Sequence, residues 1–272
     1  MDTSVGSLLH GSGLPRAEAQ LLLGQLLDRG RAELIAHPER PVESGVAARA
    51  KSWFERRRRG EPIAYITGRR EFYGIGLRVT PDVLIPRAET ERLVDLVLER
   101  VPAEQPARVL ELGTGSGAVA LVLARSRPRW RVTATDVSPA ALDVARENAR
   151  LCAAKIDFVQ SDWFGAIGPG QFDLIVSNPP YIAAADGHLQ LGDVRFEPRV
   201  ALVGGASGME CVETIATQAR DRLGPGGRLI LEHGYDQGAL CLELFRRLGY
   251  TDVADFADLA GIPRVCVGCW HG

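Results

Sequence analysis

The chain has 272 residues, of which 46% are hydrophobic and 24% charged, ordinary values for a globular protein whose length suits one large α/β domain with a small companion. Thirty-two basic against thirty-four acidic side chains leave a net charge of −2, which argues against a nucleic-acid coat protein, though not against a local basic patch. Residues 1–84 carry thirteen basic and ten acidic side chains, and the remainder carry nineteen and twenty-four.

The first sixty residues read as helices. Leu14, Ala17, Leu21, Leu22 and Leu26 recur at helical spacing, with Pro15 suited to a first turn. A second helix is expected from about Glu43 to Arg59, stopped by Gly60. The run Arg56–Arg59 sits at its end, where positive charge suits the helix dipole. It reads as a solvated helix end, with contact to an acidic partner or RNA as the functional alternative. Phe72, Ile75, Leu77, Val79 and Val83 with intervening glycines predict a β-hairpin over residues 71–84. A helix follows from Glu89 to Val101.

From Arg108 strands and helices alternate, the pattern of a mostly parallel sheet. Strands are expected at Arg108–Leu112, Arg131–Asp136, Ile156–Ser161, Phe172–Ser177 and Arg228–Glu232. Helices are expected at Pro139–Cys152, with Ser138 as N-cap, and at about Gln237–Leu248. Val253–Phe256 and Arg264–Trp270 have no helix between them and so form an antiparallel pair. The expected fold is a seven-stranded, doubly wound Rossmann-like α/β sheet whose last strand is antiparallel. The expected domains are 1–70 (helical), 71–84 (linking hairpin) and 85–272 (catalytic).

The run Glu111-Leu112-Gly113-Thr114-Gly115-Ser116-Gly117 follows the first strand of the sheet and opens a helix. Its glycines allow a sharp turn and close approach of a ligand to the main chain. Gly113, Gly115 and Ala118 also satisfy a dinucleotide pattern. Asp136, ending the next strand, can accept both hydroxyls of a ribose, which fits NAD and S-adenosylmethionine alike. Asp162 and Trp163 end the third strand and can hold and cover an adenine edge.

Asn178-Pro179-Pro180-Tyr181 ends the fourth strand. Two prolines cannot continue a central strand, so they fix a rigid exit at the carboxyl edge of the sheet, where ligands bind in such folds. The Asn178 side-chain oxygen and the Pro179 carbonyl can accept both hydrogens of one NH2 group, and Tyr181 can pack on the plane bearing it. Acceptors aimed out of that plane favour a pyramidal nitrogen with a localised lone pair, ready for in-line methyl transfer. No catalytic histidine is demanded, and His10, His37, His188, His233 and His271 do not cluster in sequence.

Cys152, Cys211, Cys241, Cys266 and Cys269 are odd in number and scattered, which argues for a reducing compartment without a disulfide framework. Cys266 and Cys269 form a C-x-x-C inside an apolar strand, with no second pair or His partner read near it, so no metal site is expected. There is no secretion leader and no apolar run long enough for a membrane span, so a cytoplasmic protein with no membrane association is expected.

The glycine turn followed by Ser177-Asn178-Pro179-Pro180-Tyr181 resembles class I methyltransferases acting on a planar NH2. The resemblance narrows with Leu84-Ile85-Pro86-Arg87-Ala88-Glu89-Thr90-Glu91, with Asp193–Pro198 followed by Ala201-Leu202, and with Leu231-Glu232-His233-Gly234 and Gly261-Ile262-Pro263-Arg264. Together these resemble the release-factor glutamine methyltransferases, the HemK/PrmC family, over roughly residues 15–272. Departures are Ala88, where the family has proline, and a shortened extreme N-terminus. The resemblance implies N5-methylation of the glutamine amide in the Gly-Gly-Gln motif of peptide chain release factors. The donor is S-adenosyl-L-methionine, giving S-adenosyl-L-homocysteine. It implies donor contacts at Glu111, Gly113, Thr114, Gly115, Ser116, Gly117, Asp136, Asp162, Trp163 and Asn178. Asn178, Pro179, Pro180 and Tyr181 would be catalytic and substrate-binding, joined on the substrate side by Arg87 and Glu89. It also implies a helical N-terminal domain that grips the release factor. A monomer without a stable nucleic-acid partner is expected.

The nearest alternative is a methyltransferase for exocyclic amines of DNA or RNA, since adenine N6 presents the same NH2. It would need a nucleic-acid grip, for which Arg56–Arg59 is the one local candidate. An NAD-dependent dehydrogenase leaves Asn178–Tyr181 unexplained. A non-catalytic module would be expected to lose Asn178 or a loop glycine.

Overall fold

A computed structural model describes residues 3–168 and 170–272, which divide into two compact units. One contains the described residues through Arg69 together with Leu191–Phe196; the other contains Arg70–Gln190 and Glu197–Gly272.

The first unit is helical: α1 (Val5–His10), α2 (Arg16–Leu27), α3 (Arg31–Ala36), α4 (Ser44–Arg58) and α5 (Ile63–Thr67). The short α1 is closed by a reciprocal Ser4–Ser7 capping box. Pro15 is the N-cap of α2 rather than a first-turn residue. The inward stripe of α2 is Ala19, Leu22 and Leu23, packed with Val5, Leu8, Ala50 and Phe54, while Leu21 is exposed.

The arginine run is not a free cationic face. Arg56 pairs with Glu61, and Arg58 and Arg59 both pair with Glu55. Arg57 donates to Glu18 at 2.7 and 3.1 Å and to Asp193 at 3.0 Å. Arg195 donates to the Arg59 carbonyl at 3.0 Å. These bonds gather Leu191–Phe196 into the helical unit, although the sequence reading assigned them to the catalytic domain.

The second unit, from Arg70, opens within the hairpin of β1 (Arg69–Phe72) and β2 (Ile75–Arg78). The expected hairpin extends further, but after Arg78 the chain turns at Thr80, whose carbonyl accepts from the Val83 amide, and no ladder continues. Then follow α6 (Thr90–Arg100), β3 (Arg108–Leu112), α7 (Ala118–Ser126), β4 (Arg131–Asp136), α8 (Pro139–Leu151), β5 (Asp157–Gln160) and β6 (Phe172–Ser177). After three short turns of 3-10 helix come α9 (Glu210–Ala219), β7 (Leu223–Glu232), α10 (Gly238–Arg247), β8 (Thr251–Ala257) and β9 (Pro263–Trp270).

The seven strands lie in the order β5-β4-β3-β6-β7-β9-β8. The first five are mutually parallel, and β9 runs antiparallel to both neighbours, as the expected fold requires. Alternate residues of β3 and β6 feed opposite faces. Val109 and Leu174 pack with Leu93, Val97 and Val119 of α6 and α7. Leu110 and Ile175 pack with Val212, Ile215 and Phe245 of α9 and α10. The order reverses between β3 and β6, which opens the carboxyl edge there as a ligand crevice. No helix among the described residues is long and apolar enough to cross a membrane.

The largely buried Arg57 joins α2, α4 and the 191–196 segment through charge-assisted bonds. Arg57→Ala should lower stability by about 2 kcal/mol in chemical denaturation, in the range for hydrogen bonds to charged groups. It should also speed hydrogen exchange of Leu191–Phe196 specifically; unchanged exchange there would remove the bracing role.

Candidate active site

A cleft of about 460 Å³ opens at the carboxyl ends of β3, β4 and β6. One side is built by the glycine turn. Gly113, Gly115 and Gly117 have φ of 68°, 54° and 82°, a left-handed succession that side chains would strain. Gly113 and Gly115 line the cleft. Asp136 reaches across from β4: one carboxylate oxygen accepts from the Gly115 amide at 2.8 Å and the other from the Ser138 amide at 2.9 Å. Partial burial raises its pKa, and the backbone donors oppose that rise. Asp136 lines the cleft, and each oxygen keeps further lone-pair capacity, as a diol ligand requires.

Glu111, expected to touch the donor, does not line the cleft. Its carboxylate is buried and accepts from Thr114 Oγ1 at 2.6 Å and the Ala120 amide at 3.0 Å, closing the turn from beneath. Burial pushes its pKa up to about 8. Thr114, Ser116 and Gly117 are likewise buried behind the wall. Asn148 ties this turn to the hairpin, donating to the Ser116 and Arg78 carbonyls at 2.9 Å each.

Asp162 and Trp163 both line the cleft. Trp163 is half-buried, with an unusual φ of 45°, and its carbonyl accepts from Ser161 Oγ at 2.8 Å. The indole edge comes close to Gly113, so the residue serves both as core and as cleft wall.

Asn178 and Pro180 line the opposite side, whereas Pro179 and Tyr181 stand behind it. Asn178 Nδ2 donates to Thr90 Oγ1 at 3.0 Å. The Tyr181 ring points inward, its hydroxyl 3.4 Å from Glu232 Oε1, and burial raises its pKa. The Tyr181 carbonyl accepts from Gln237 Nε2 at 3.0 Å. Glu232 is itself buried, which pushes its pKa up to about 7. The tyrosine is thus an anchor for the strand exit rather than an exposed stacking platform.

The exit is also clamped by residues 202–205, of which only Leu202 stands among the landmarks of the family resemblance. Ile182 donates to the Leu202 carbonyl, Gly204 to the Ile182 carbonyl and Ala184 to the Gly205 carbonyl, at 2.8–2.9 Å. A Cβ at Gly204 would stand 2.4 Å from the Pro180 carbonyl oxygen, so only glycine permits this approach. Arg199, Val200, Ala201 and Val203 line the cleft from the same segment, and Asp82, Val83 and Leu84 from the end of the hairpin connection. Beside the Ala201-Leu202 landmark, the paired glycines at 204 and 205 are the local signal for this clamp.

Arg87 and Glu89, expected on the substrate side, do not line the cleft. Arg87 pairs with the buried Glu197, whose other oxygen accepts from the Ile85 amide at 3.1 Å. Glu89 is the exposed N-cap of α6. All five cysteines are free. Contrary to the expectation that no histidine lies near the C-x-x-C, His271 joins Cys269 and Asp252 with donor atoms within 4.8 Å of one another, beside the start of β7 at the opposite end of the sheet from the cleft.

Residues 88–196 match the family described as Methyltransferase small domain, and residues 6–68 match the PrmC N-terminal domain. A release factor glutamine methyltransferase of Neisseria gonorrhoeae is 46% identical over 94% of this chain and 94% of its own length. One from Escherichia coli is 46% identical over 97% and 96%. The chain belongs to the release factor glutamine methyltransferase family. Among solved structures, a methyltransferase from Pyrococcus furiosus superposes with a TM-score of 0.57 at 22% identity, over 80% of this chain and 98% of its own. At that identity the likeness supports the Rossmann-like methyltransferase fold alone.

Glu111 holds its proton more tightly folded than unfolded, so the native state binds more protons between about pH 4.5 and 8. Stability from this group therefore falls as pH rises through that window. Glu111→Gln should flatten the decline of unfolding free energy across it, leaving the part due to Glu232. An unaltered slope in denaturant titrations would contradict the burial assigned to Glu111.

Proposed function

We propose that the protein transfers a methyl group from S-adenosyl-L-methionine to the side-chain amide nitrogen, N5, of the glutamine in the Gly-Gly-Gln motif of peptide chain release factors. The observation that carries this reading is Asn178. It lines the cleft with its amide nitrogen committed to Thr90, which leaves its side-chain oxygen as the acceptor for an incoming NH2.

The residues present fit the donor. Asp136 offers two half-buried carboxylate oxygens for a ribose diol, the positive-φ glycines let a ligand approach the main chain, and Trp163 with Asp162 walls the adenine side. When bound, S-adenosyl-L-methionine supplies a sulfonium methyl whose transfer to nitrogen leaves S-adenosyl-L-homocysteine. The chain's own contribution is geometric. Oδ1 of Asn178, which lines the cleft, accepts one amide hydrogen, and the adjoining Pro179 carbonyl, on a residue set behind the wall, is the second acceptor the motif offers, so that the nitrogen is held pyramidal with its lone pair toward the methyl group. The extra proton leaves after transfer, when the nitrogen is strongly acidic, so no buried base has to act first. The rigid diproline, braced by Tyr181 and the 202–205 clamp, keeps those acceptors fixed as preorganised catalysis demands.

The helical unit docks the release factor, and the chain acts as a cytoplasmic monomer without a stable nucleic-acid partner. Every arginine of the 56–59 run has an acidic partner within the helical unit, which weighs against the nucleic-acid alternative.

Asn178→Ala should lower methyl transfer to a release factor by about two orders of magnitude, on the order of 3 kcal/mol of transition-state stabilisation. Folding and donor affinity should stay near normal, and near-normal turnover would overturn the assignment. Asp136→Ala should weaken donor affinity by about tenfold or more, the weight of charge-assisted bonds. Unchanged affinity in titration calorimetry would refute a ribose contact.

A further inference from the structure

Asn178 can serve as an acceptor only if its amide is turned one way. A terminal amide flipped about its last torsion has nearly the same shape and presents NH2 where the oxygen stood. Flipped, Asn178 would offer donors to the NH2 it must receive. Something has to choose the orientation, and the choice lies one residue behind the cleft wall.

Asn178 Nδ2 donates to Thr90 Oγ1, on the first residue of α6, and Thr90 is buried. A hydroxyl has one proton to give and lone pairs to receive. If its proton is drawn elsewhere, Thr90 can only accept, and Asn178 must present its nitrogen. The Thr90 hydroxyl also faces the carboxylate of Glu232, at the end of β7, and favours its ionised form. Glu232 is buried; Oε1 is near the Tyr181 hydroxyl, and Oε2 receives no hydrogen bond of ordinary geometry. That open oxygen is the acceptor toward which a rotatable hydroxyl turns, since an unmet buried carboxylate oxygen is costly.

We infer that Thr90 and Glu232 are positioning residues for Asn178: Glu232 draws the Thr90 hydroxyl proton, Thr90 can then only accept from Asn178 Nδ2, and Asn178 Oδ1 is thereby turned to the cleft. The chain of contacts runs from β7 through α6 to the end of β6, with Asn178–Thr90 as its hydrogen bond of ordinary geometry, and fixes a polarity, not merely a position. The same Glu232 holds the Tyr181 hydroxyl, so one carboxylate orders both ends of the tetrapeptide 178–181. Neither residue lines the cleft, and both act through Asn178 and Tyr181. This inference rests on the proposed acceptor role of Asn178.

The test compares T90V, T90S, E232Q, N178A and the double variant T90V/N178A, measuring donor affinity, thermal stability and turnover on a release factor. T90V keeps the shape and removes the hydroxyl. It should lower turnover about tenfold, the rate equivalent of about one hydrogen bond. Donor affinity should remain within about twofold, well below one hydrogen bond. T90S should recover most of the turnover. E232Q reverses the relay, because a glutamine NH2 donates to Thr90 and sends the Thr90 proton toward Asn178. It should therefore lose turnover in the same direction, and it carries the test if T90V does not fold. Because Thr90 acts through Asn178, the double variant should be no slower than N178A alone. The inference is overturned if T90V or E232Q turns over like the parent, if T90S is as slow as T90V, or if T90V costs the same factor in the N178A background. Full activity of N178A would instead sink the underlying reading of Asn178, which keeps the two failures apart.

Discussion

The carboxylate of Asp136 is the constraint on which the donor side of the site depends. It sits at the end of β4 and takes the Gly115 amide from the turn after β3, so two adjacent parallel strands are joined at their carboxyl edge by one acidic group. The Thr114 amide, donating to the Thr135 carbonyl at 2.8 Å, adds a second tie between the same two strand ends. The glycine turn can hold its three positive-φ residues because Glu111 below and Asp136 beside it meet amides and a hydroxyl that would otherwise be buried or loose. The sheet order then places this turn beside β6, whose diproline exit faces it across the cleft.

The acceptor side is built on a different principle. The glycine turn exposes main chain to a ligand, whereas the Asn178–Tyr181 exit presents fixed acceptors and is held from several directions. Gln237 fixes the Tyr181 carbonyl, Glu232 its hydroxyl, Thr90 the Asn178 amide, and the 202–205 segment the backbone beyond. Donor binding needs close main-chain approach, and activation of a weak amide nucleophile needs fixed acceptors, so the two halves of the cleft are different physical devices.

Much of this was legible in the sequence because it is local. The glycine turn, Asp136 and the diproline each stand within a few residues of a strand end, and alternation of strands and helices orders them along one edge. The arrangement that orients them was not legible. Asn178 and Thr90 are 88 residues apart, and Tyr181 and Glu232 are 51 apart. Glu111 looked like a donor contact by its place in the motif, yet a carboxylate beneath a tight turn finds the turn's own donors first. Arg87 was diverted from the cleft by Glu197, 110 residues away. The stripe of α2 was phased wrongly at Leu21 because Leu21, Leu22 and Leu23 are all apolar, and a continuous run does not say which side faces inward. Within the arginine run only Arg57 has partners distant in sequence, Glu18 and Asp193; Glu55 and Glu61, which pair with the other three, flank the run and were there to be read.

The central claim is that the cleft activates an amide nitrogen of a protein. Mass spectrometry of a purified release factor, after incubation with this protein and S-adenosyl-L-methionine, tests it directly. The expected result is a gain of one CH2 located by fragmentation on the side chain of the Gly-Gly-Gln glutamine. An unmodified glutamine, with methyl groups found instead on nucleic acid offered in the same reaction, would contradict it.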